Sequence, residues 1–314
     1  MPVNFLLASA IIGIVGIIVH IKLDKQDEPC FNLNKLRIIK LGFNPAFLAF
    51  AEFDEDGQAL VITSFFNVKF DLGTDPPRPV PLALDLVAKI DFNENKSFDQ
   101  DEVAEAQVLS DKNPNVPPGH PKTVWPNEAI IAPDGVFPFK ALVVAQGFLS
   151  APFPGRLTAI DLTTISGGDE YIISQSIGLG EESRFYHNSQ FYDMDGDGLL
   201  DIISVRSGGR IFPIPKPPTV GELVWFKNPG ASIDKNSSWE EFILVSELGP
   251  DIEVTMYDFD EDGIPEFLTT HFFTGGKITI YGVEGEGKKW ADVVRVIPKL
   301  NLWIFRPIKA GHLE

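Results

Sequence analysis

The sequence predicts an all-β fold built from a repeated unit of four strands, and three observations support this prediction. Turn-forming residues are abundant, with 27 Gly and 25 Pro among 314 residues. Short segments rich in β-branched and aromatic residues lie between the turns, whereas helix-length apolar patterns with a 3.6-residue period are almost absent. Two acidic segments of similar pattern each run into an apolar segment, which indicates that the unit recurs.

The two acidic segments have the ligand spacing of calcium loops. They are Asp193-Met-Asp195-Gly-Asp197-Gly-Leu-Leu-Asp201 and Asp258-Phe-Asp260-Glu-Asp262-Gly-Ile-Pro-Glu266. Carboxylates at positions 1, 3, 5 and 9, a Gly at position 6 and a backbone carbonyl at position 7 suit a cation that takes six to eight oxygens. The predicted ligands are therefore Asp193, Asp195, Asp197, Leu199 and Asp201 in the first loop, and Asp258, Asp260, Asp262, Ile264 and Glu266 in the second.

An EF-hand is the competing interpretation of these loops, because it uses the same early ligand positions. It requires a Glu at position 12 and helices on both sides. Position 12 is Ser204 in one loop and Thr269 in the other, and both following segments are rich in β-branched residues. We therefore expect loops between strands, with calcium bracing the turn.

Two degenerate copies of the acidic loop extend the repeat towards the N-terminus. The Asp-Gly pairs begin at Asp56, Asp134, Asp197 and Asp262, at intervals of 78, 63 and 65 residues. That spacing is typical of four-stranded propeller blades with variable loops. Glu52, Asp54 and Asp56 form a weaker candidate metal set, whereas the second copy keeps only Asp134.

Four blades are therefore predicted, and Trp290 is interpreted as opening a fifth. The segment Lys35–Lys40 would complete that fifth blade by pairing with the C-terminal strands, which would close the ring and remove exposed edges. We expect a β-propeller of five four-stranded blades, with six as the alternative. The domain division is an N-terminal segment, 1–30, and a single propeller domain, 31–314.

At these residues the chain resembles the FG-GAP and VCBS repeat family of calcium-binding β-propellers. Blades of that family pair a D-x-D-x-D-G-x-x-D turn with a later V-W-[YF]-x-N-P-G strand, which matches Asp193–Asp201 and Val224–Gly230 here. The size, layout and apolar loops also resemble the propeller-type hetero-Diels–Alderases of fungal tropolone–sesquiterpenoid pathways. Fungal sugar dehydratases and the integrin adhesion domain are similar propellers.

The candidate working site lies at the end of the blades opposite the acidic turns. Starts of first strands and ends of second strands meet there, and residues from several blades could line a central pocket. The predicted catalytic residues are Arg206, His271 and His187. The predicted substrate-binding residues are Trp125, Tyr186, Arg184, Gln146, Phe65 and Phe212. Packing or ion pairing is the competing role for each of them.

The nature of the expected activity follows from which motifs the sequence lacks. It has no nucleophile elbow, zinc-hydrolase motif, phosphate loop or dinucleotide fingerprint. Apolar loops at Phe148, Phe153, Phe212 and Ile214 favour a small apolar organic substrate, terpenoid or polyketide. We expect a non-redox lyase, isomerase or cyclase of hetero-Diels–Alder type with structural calcium and no organic cofactor. The alternative is a carbohydrate-binding or adhesion module without catalysis.

The net charge and the N-terminal segment predict the partners and the cellular location of the protein. A net charge of −18 argues against a nucleic-acid partner. The apolar run Phe5–Val19 indicates a secretory signal, with a membrane tether through residues 5–19 as the alternative. Sequons at Asn95 and Asn236 agree with glycosylation in the secretory lumen or outside the cell. Cys30 is the single cysteine, so an intrachain disulfide is excluded.

Overall fold

The computed structural model describes most of the chain after residue 46. The described residues are 47–53, 57–64, 68–71, 78–81, 86–91, 107–109, 125–147, 155–163, 169–175, 184–210, 216–230, 233–234, 237–246, 249–282, 289–290 and 297–303. All of them belong to one compact unit, Ile39–Glu314. The predicted N-terminal segment 1–30 and the predicted strand Lys35–Lys40 lie outside the described residues.

Most of these residues lie in strands, and the rest of the described residues form turns and connections, which confirms the all-β prediction. The strands are β1 Phe47–Phe53, β2 Gly57–Ser64, β3 Val68–Asp71, β4 Arg78–Pro81, β5 Leu86–Asp91, β6 Gln107–Val108, β7 Pro126–Ile131, β8 Ala141–Gln146 and β9 Arg156–Asp161. They continue with β10 Glu170–Gln175, β11 Arg184–Tyr192, β12 Asp201–Arg210, β13 Lys216–Lys227, β14 Glu240–Val245, β15 Glu253–Tyr257, β16 Glu266–His271, β17 Lys277–Gly282 and β18 Ile297–Trp303. Within the described part of the chain, no helix is long and apolar enough to span a membrane.

Four antiparallel sheets of four strands follow one another along the described chain. Sheet I has the order β1-β2-β5-β6, sheet II β7-β8-β9-β10, sheet III β11-β12-β13-β14 and sheet IV β15-β16-β17-β18. The hairpin β3–β4 is inserted between the second and third strands of sheet I. This order agrees with the repeated unit of four strands that the sequence predicts.

The Asp-Gly pairs at Asp134, Asp197 and Asp262 lie where the repeat predicts, between the first and second strands of a sheet. Gly135, Gly198 and Gly263 have φ values of 90°, 90° and 89°. An L-residue adopts this conformation only under strain, so the tight turn requires glycine at this position. Gly57, the matching glycine of the first copy, begins β2. The turn at Asp134, which lacks a full ligand set, therefore has the same glycine conformation as the two acidic turns.

Hydrophobic clusters lie between successive sheets, and side-chain alternation on the second strands builds them. In β8, Leu142 and Val144 belong to a cluster with sheet I, whereas Val143 and Ala145 belong to one with sheet III. In β12, Ile203 joins the cluster shared with sheet IV. Neighbouring strand residues point to opposite faces, so a strand that is apolar at every position can be buried on both.

The first strands of the sheets contact one another in chain order. β1 contacts β7, β7 contacts β11, and β11 contacts β15. Tryptophans pack between and within the sheets. The Trp239 ring lies 5.5 Å from that of Phe137 in the sheet II turn, and the Trp225 ring stacks on Phe242 of the same sheet at 4.3 Å.

One expectation about blade number is corrected by the pairing of β18. Ile297–Trp303 is the fourth strand of sheet IV, since Leu300 pairs with Ile280. Trp290 packs on Phe267 at 4.3 Å and donates its indole N–H to the Pro265 carbonyl. Both contacts are within sheet IV, so Trp290 completes the fourth repeat and does not open a fifth. The interpretation of Trp290 as the start of a fifth blade failed because a long connection separates β17 from β18, and Trp290 lies within that connection.

Candidate functional site

The first acidic turn joins β11 to β12 and gathers three carboxylates. Asp193 accepts backbone hydrogen bonds from Gly196 at 2.6 Å, Asp197 at 3.1 Å and Gly198 at 2.9 Å. These bonds wrap the backbone around the Asp193 side chain. One carboxylate oxygen each from Asp193, Asp195 and Asp197 lies within 4.8 Å of the others. The turn therefore assembles oxygen donors of the kind that calcium prefers.

The second acidic turn joins β15 to β16 and has the same backbone pattern. Asp258 accepts hydrogen bonds from the backbone N–H of Asp262 at 3.1 Å and Gly263 at 2.9 Å. Its converging set is Asp258, Asp260 and Glu266, again within 4.8 Å. Glu266 also accepts the Phe259 N–H at 2.8 Å. The carboxylate at position 9 thus belongs to the cluster in this turn.

Position 9 behaves differently in the first turn, where it is Asp201. The Asp201 side chain is fully buried. One oxygen accepts the Met194 N–H at 2.9 Å and the other accepts the Asn228 N–H at 2.7 Å. Burial raises the pKa of Asp201 to about 6. Its described bonds tie the turn to the end of β13, and it is not part of the converging set.

Two lysine ammonium groups contact the first turn. The Lys227 Nζ donates to Asp195 Oδ2 and, at 2.9 Å, to Asp197 Oδ2. Hydrogen bonds to these two carboxylates raise the pKa of Lys227. The Lys289 Nζ donates to the Asp195 carbonyl at 2.9 Å. An internal cation therefore lies among the carboxylates that would bind a metal ion.

The oxygen donors of both acidic turns suit a calcium ion. The other candidate metal residues form no such converging set among the described residues. The Lys227 ammonium shows that the first cluster accommodates a cation, and the second cluster offers three carboxylates from one short turn. In the degenerate copies, Asp134 is an exposed residue of a turn whose Gly135 keeps the shared conformation. Asp54 and Asp56 lie outside the described residues, and Glu52 is described only as part of β1.

The predicted catalytic residue Arg206 lies in a buried ion-pair network. Its Nε donates to Glu222 at 2.7 Å, and its two terminal nitrogens donate to Glu241 at 2.8 Å each. Nη1 also donates to the Tyr186 hydroxyl at 3.2 Å. The predicted binding residue Arg184 lies 3.5 Å from the same Glu222. These contacts match the competing interpretation, in which Arg206 pairs with carboxylates of its own protein.

Tyr186 and Gln146 are predicted substrate-binding residues that the structure places in the core. Tyr186 is fully buried in the cluster between sheets II and III, and its hydroxyl lies 2.8 Å from Ser174 Oγ. Gln146 donates to Thr158 at 2.8 Å and to Glu170 at 3.0 Å. Both side chains bond along or between sheets, which favours a packing role.

The two predicted catalytic histidines lie in different surroundings. His271 is buried, with Nδ1 3.3 Å from Thr274 Oγ1 and Nε2 3.4 Å from the Tyr281 hydroxyl. His187, on first strand β11, makes an edge-to-face contact with Phe47 of β1 at 5.5 Å. Burial lowers the pKa of His187 to about 4, so its imidazole is neutral at pH 7.

The remaining predicted residues divide between strand starts and undescribed positions. Trp125 is buried immediately before β7, at a φ of 40°, and its carbonyl accepts the Gly147 N–H. Strand pairing places Arg184 and His271 at the ends of their sheets that lie opposite the acidic turns: Arg184 pairs with Gly208, and His271 pairs with Lys277. Phe65, Phe212, Asn95, Asn236 and the apolar residues Phe148, Phe153 and Ile214 lie outside the described residues.

A carboxyl pair on the first strands is a feature that the sequence interpretation missed. Asn188 of β11 donates its amide to Glu253 of β15, and it also hydrogen-bonds Glu128 of β7. Burial and then the charge of Glu128 raise the pKa of Glu253 to about 7, and burial raises that of Glu128. The available signal in both cases was an acidic residue on a first strand that carries no other charged residue.

A cavity of about 290 Å³ lies beside the first acidic turn, bordered by Asp197, Lys227 and Glu240. Comparison with known proteins finds no matching family model, no matching curated protein and no matching solved structure.

Proposed function

We propose that the chain is a calcium-binding domain of the β-propeller type, with its four sheets as blades. The carrying observation is that two acidic turns, each with three converging carboxylates, occupy the same position in successive sheets. The ordered contacts of β1, β7, β11 and β15 support the blade assignment, since first strands meet in a propeller. Calcium would brace the turn between the first and second strands of sheets III and IV.

The residues that would hold calcium are those of the two turns. Asp193, Asp195 and Asp197 would supply carboxylate oxygens in sheet III, as Asp258, Asp260 and Glu266 would in sheet IV. The Leu199 and Ile264 carbonyls are the proposed position 7 ligands. Calcium would neutralise carboxylates that otherwise repel one another. A lumenal or extracellular location, where free calcium is plentiful, completes this proposal.

A chelator experiment tests the calcium proposal. The full chain is melted in calcium and again in excess EGTA, beside Asp260→Asn. Calcium bound to the native state stabilises by mass action, so chelation should lower the Tm of the wild type. The variant should start from a lower Tm and respond less to EGTA. Identical wild-type curves with and without chelator would refute calcium binding.

A second candidate function is a non-redox enzyme that acts on a small apolar organic molecule, as a lyase, isomerase or cyclase. One observation favours it: Glu128 and Glu253 lie on first strands β7 and β15, on either side of β11, and both have a raised pKa. Glu253, with a pKa of about 7, can donate or accept a proton near neutral pH, and Glu128 supplies a second carboxyl whose pKa is raised by burial. Neutral His187, on the strand between them, is a further proton carrier.

The contacts of Arg206 and His271 favour packing roles, so the catalytic proposal rests on the carboxyl pair. The test incubates the chain with terpenoid and polyketide dienes and follows products by mass spectrometry. Glu128→Gln and Glu253→Gln should abolish turnover while the protein stays folded. Binding without any turnover by the wild type would favour the carbohydrate-binding or adhesion alternative.

A further inference from the structure

Two successive residues of the connection between β17 and β18, Lys289 and Trp290, contact different acidic turns. The Lys289 Nζ donates to the Asp195 carbonyl, at position 3 of the first turn, over 2.9 Å. The Trp290 indole N–H donates to the Pro265 carbonyl, at position 8 of the second turn, over 3.0 Å. These two residues, which we call the bridge, therefore join a turn of sheet III to a turn of sheet IV.

The tryptophan end of the bridge contacts the second turn between two of its proposed ligands. Ile264 and Glu266 lie on either side of Pro265 in the chain. Trp290 is fully buried, and its ring lies 4.3 Å from that of Phe267, the next residue along. A buried indole N–H is costly to leave without an acceptor, so Trp290 should move together with the Pro265 carbonyl.

The lysine end contacts the first turn in the same way. A Cβ added at Gly196 would overlap the Nζ, Cε and Cδ atoms of Lys289, so the lysine side chain lies directly against the backbone there. The proposed ligands Asp195 and Asp197 lie on either side of Gly196. Lys289 is otherwise exposed, so its position depends on the turn and on the neighbouring Trp290.

Apolar packing connects the same two turns. Met194, at position 2 of the first turn, is fully buried in the cluster that contains Trp290 and Phe267. Ile264, at position 7 of the second turn, packs against this cluster. Because packed protein interiors leave few voids, a displacement of one turn is transmitted to the other.

We infer that the bridge couples the two turns, so that calcium bound in one raises the calcium affinity of the other. This inference rests on the proposed calcium function and adds its regulation. Calcium in the second turn would fix the backbone on both sides of Pro265 and thereby Trp290, which would hold Lys289 against the first turn.

The sign of the coupling follows from conformational entropy. The cost of ordering the bridge falls on the first calcium ion alone, so the second ion binds more tightly. Repulsion between two bound calcium ions acts in the opposite direction. Positive cooperativity is therefore the result that distinguishes the bridge from electrostatics alone.

Calorimetric titration of the calcium-depleted full chain with calcium chloride tests the inference. Asp260→Asn removes a ligand of the second turn, and Asp195→Asn removes a side-chain ligand of the first while keeping the carbonyl that Lys289 contacts. Each variant gives the association constant of one turn while the other is empty. The product of the two association constants of the wild type should exceed the product of these single-site constants by about fivefold.

The bridge variants repeat this comparison in a second background. Lys289→Met keeps the aliphatic stem but removes the ammonium, and it should bring the ratio close to one. The lost charge alters the affinity of the first turn whether or not the second is occupied, so it cancels from the ratio. Trp290→Phe, which keeps an aromatic ring without the indole N–H, should lower the ratio in the same way. Lys277→Met, near the opposite end of sheet IV, should leave it unchanged.

The outcomes separate the coupling from the calcium function. A ratio of one or less in the wild type, or an undiminished ratio in Lys289→Met, would overturn the inference and leave the calcium function standing. Lys289 is exposed, so its variant should fold and decides the matter even if Trp290→Phe does not fold. Absence of calcium binding in every protein would overturn both.

Discussion

The side chain of Asn188 pairs with the backbone of Val254 as a neighbouring strand would. Its amide donates to the Val254 carbonyl at 2.9 Å, and its Oδ1 accepts the Val254 N–H at 3.2 Å. The two residues lie on first strands β11 and β15 of different sheets, whose edges the side chain thereby connects. Both are buried, so these bonds replace water that the backbone groups of Val254 would otherwise require.

We predict that Asn188→Ala lowers the free energy of unfolding by about 2 to 3 kcal/mol. The loss is large because the donor and the acceptor of Val254 remain buried after their partner is removed. Urea denaturation followed by tryptophan fluorescence measures it. Ser189→Ala is the matched control, because no hydrogen bond of the buried Ser189 Oγ is found within the described part of the chain. Equal costs for the two variants would contradict the prediction.

The pH dependence of stability should report Glu253. Its pKa rises from its ordinary value of 4.5 to about 7 on folding, so the folded state binds more protons between these values. Stability should therefore fall as pH rises from about 4.5 to 7 and level off above 7. The drop should be on the order of 1 to 2 kcal/mol, discounted for the partial solvent exposure of Glu253.

Glu253→Gln should remove this part of the pH profile, because glutamine does not titrate. The measurement is the midpoint of urea unfolding at several pH values, all with EGTA so that metal binding does not contribute. The difference between wild type and variant isolates Glu253 from other titrating groups. Parallel profiles for the two proteins would show that this carboxyl has an ordinary pKa.

We predict that Arg206→Ala destabilises the fold by about 3 kcal/mol, because it leaves Glu222 and Glu241 without the guanidinium that both accept from. Chemical denaturation measures the loss. Arg184→Ala is the matched control: its side chain is more exposed and lies 3.5 Å from Glu222, so its loss should cost less than about 1 kcal/mol. An Arg206→Ala protein of unchanged stability would return Arg206 to the list of candidate catalytic groups.

Gly155→Ala should destabilise the junction of sheets II and III by about 2 kcal/mol. An added Cβ would overlap the Arg184 carbonyl oxygen and the Phe185 Cα, both backbone atoms that have little freedom to move. Thermal and urea unfolding measure the effect. Gly135→Ala separates steric overlap from backbone strain, since its Cβ would meet nothing within 4 Å although φ is 90°. Gly135→Ala should cost about 1 kcal/mol. A larger cost for Gly135→Ala than for Gly155→Ala would contradict the predicted steric overlap at Gly155.

The repeat could be predicted from the sequence because its marks are local. An Asp-Gly pair in a turn, with Gly at a φ near 90°, depends on residues next to each other in the chain. Even the degenerate copy at Asp134 retained enough of the pattern to place a turn between first and second strands. The end of the repeat was harder, since only the pairing of Leu300 with Ile280 shows that the last strand completes sheet IV.

The candidate site was harder to predict because partners come from distant parts of the chain. Arg206 and His271 were correctly placed opposite the acidic turns by counting along strands. Their hydrogen-bond partners, Glu241 and Tyr281, lie on other strands, which no local spacing reveals. Glu128 and Glu253 are 125 positions apart in the printed sequence, so their coupling was equally hidden.

The sequence by itself determined the all-β class, the position of each acidic turn and the sheet ends opposite them, because alternation and turn chemistry act over a few residues. Only the tertiary structure decided which charges meet. It brought Lys227 and Lys289 to the first acidic turn, paired Arg206 with two carboxylates, and joined Asn188 to Glu253. The physical reason is that a charge acts on whatever lies within a few ångströms of it, and folding determines those neighbours.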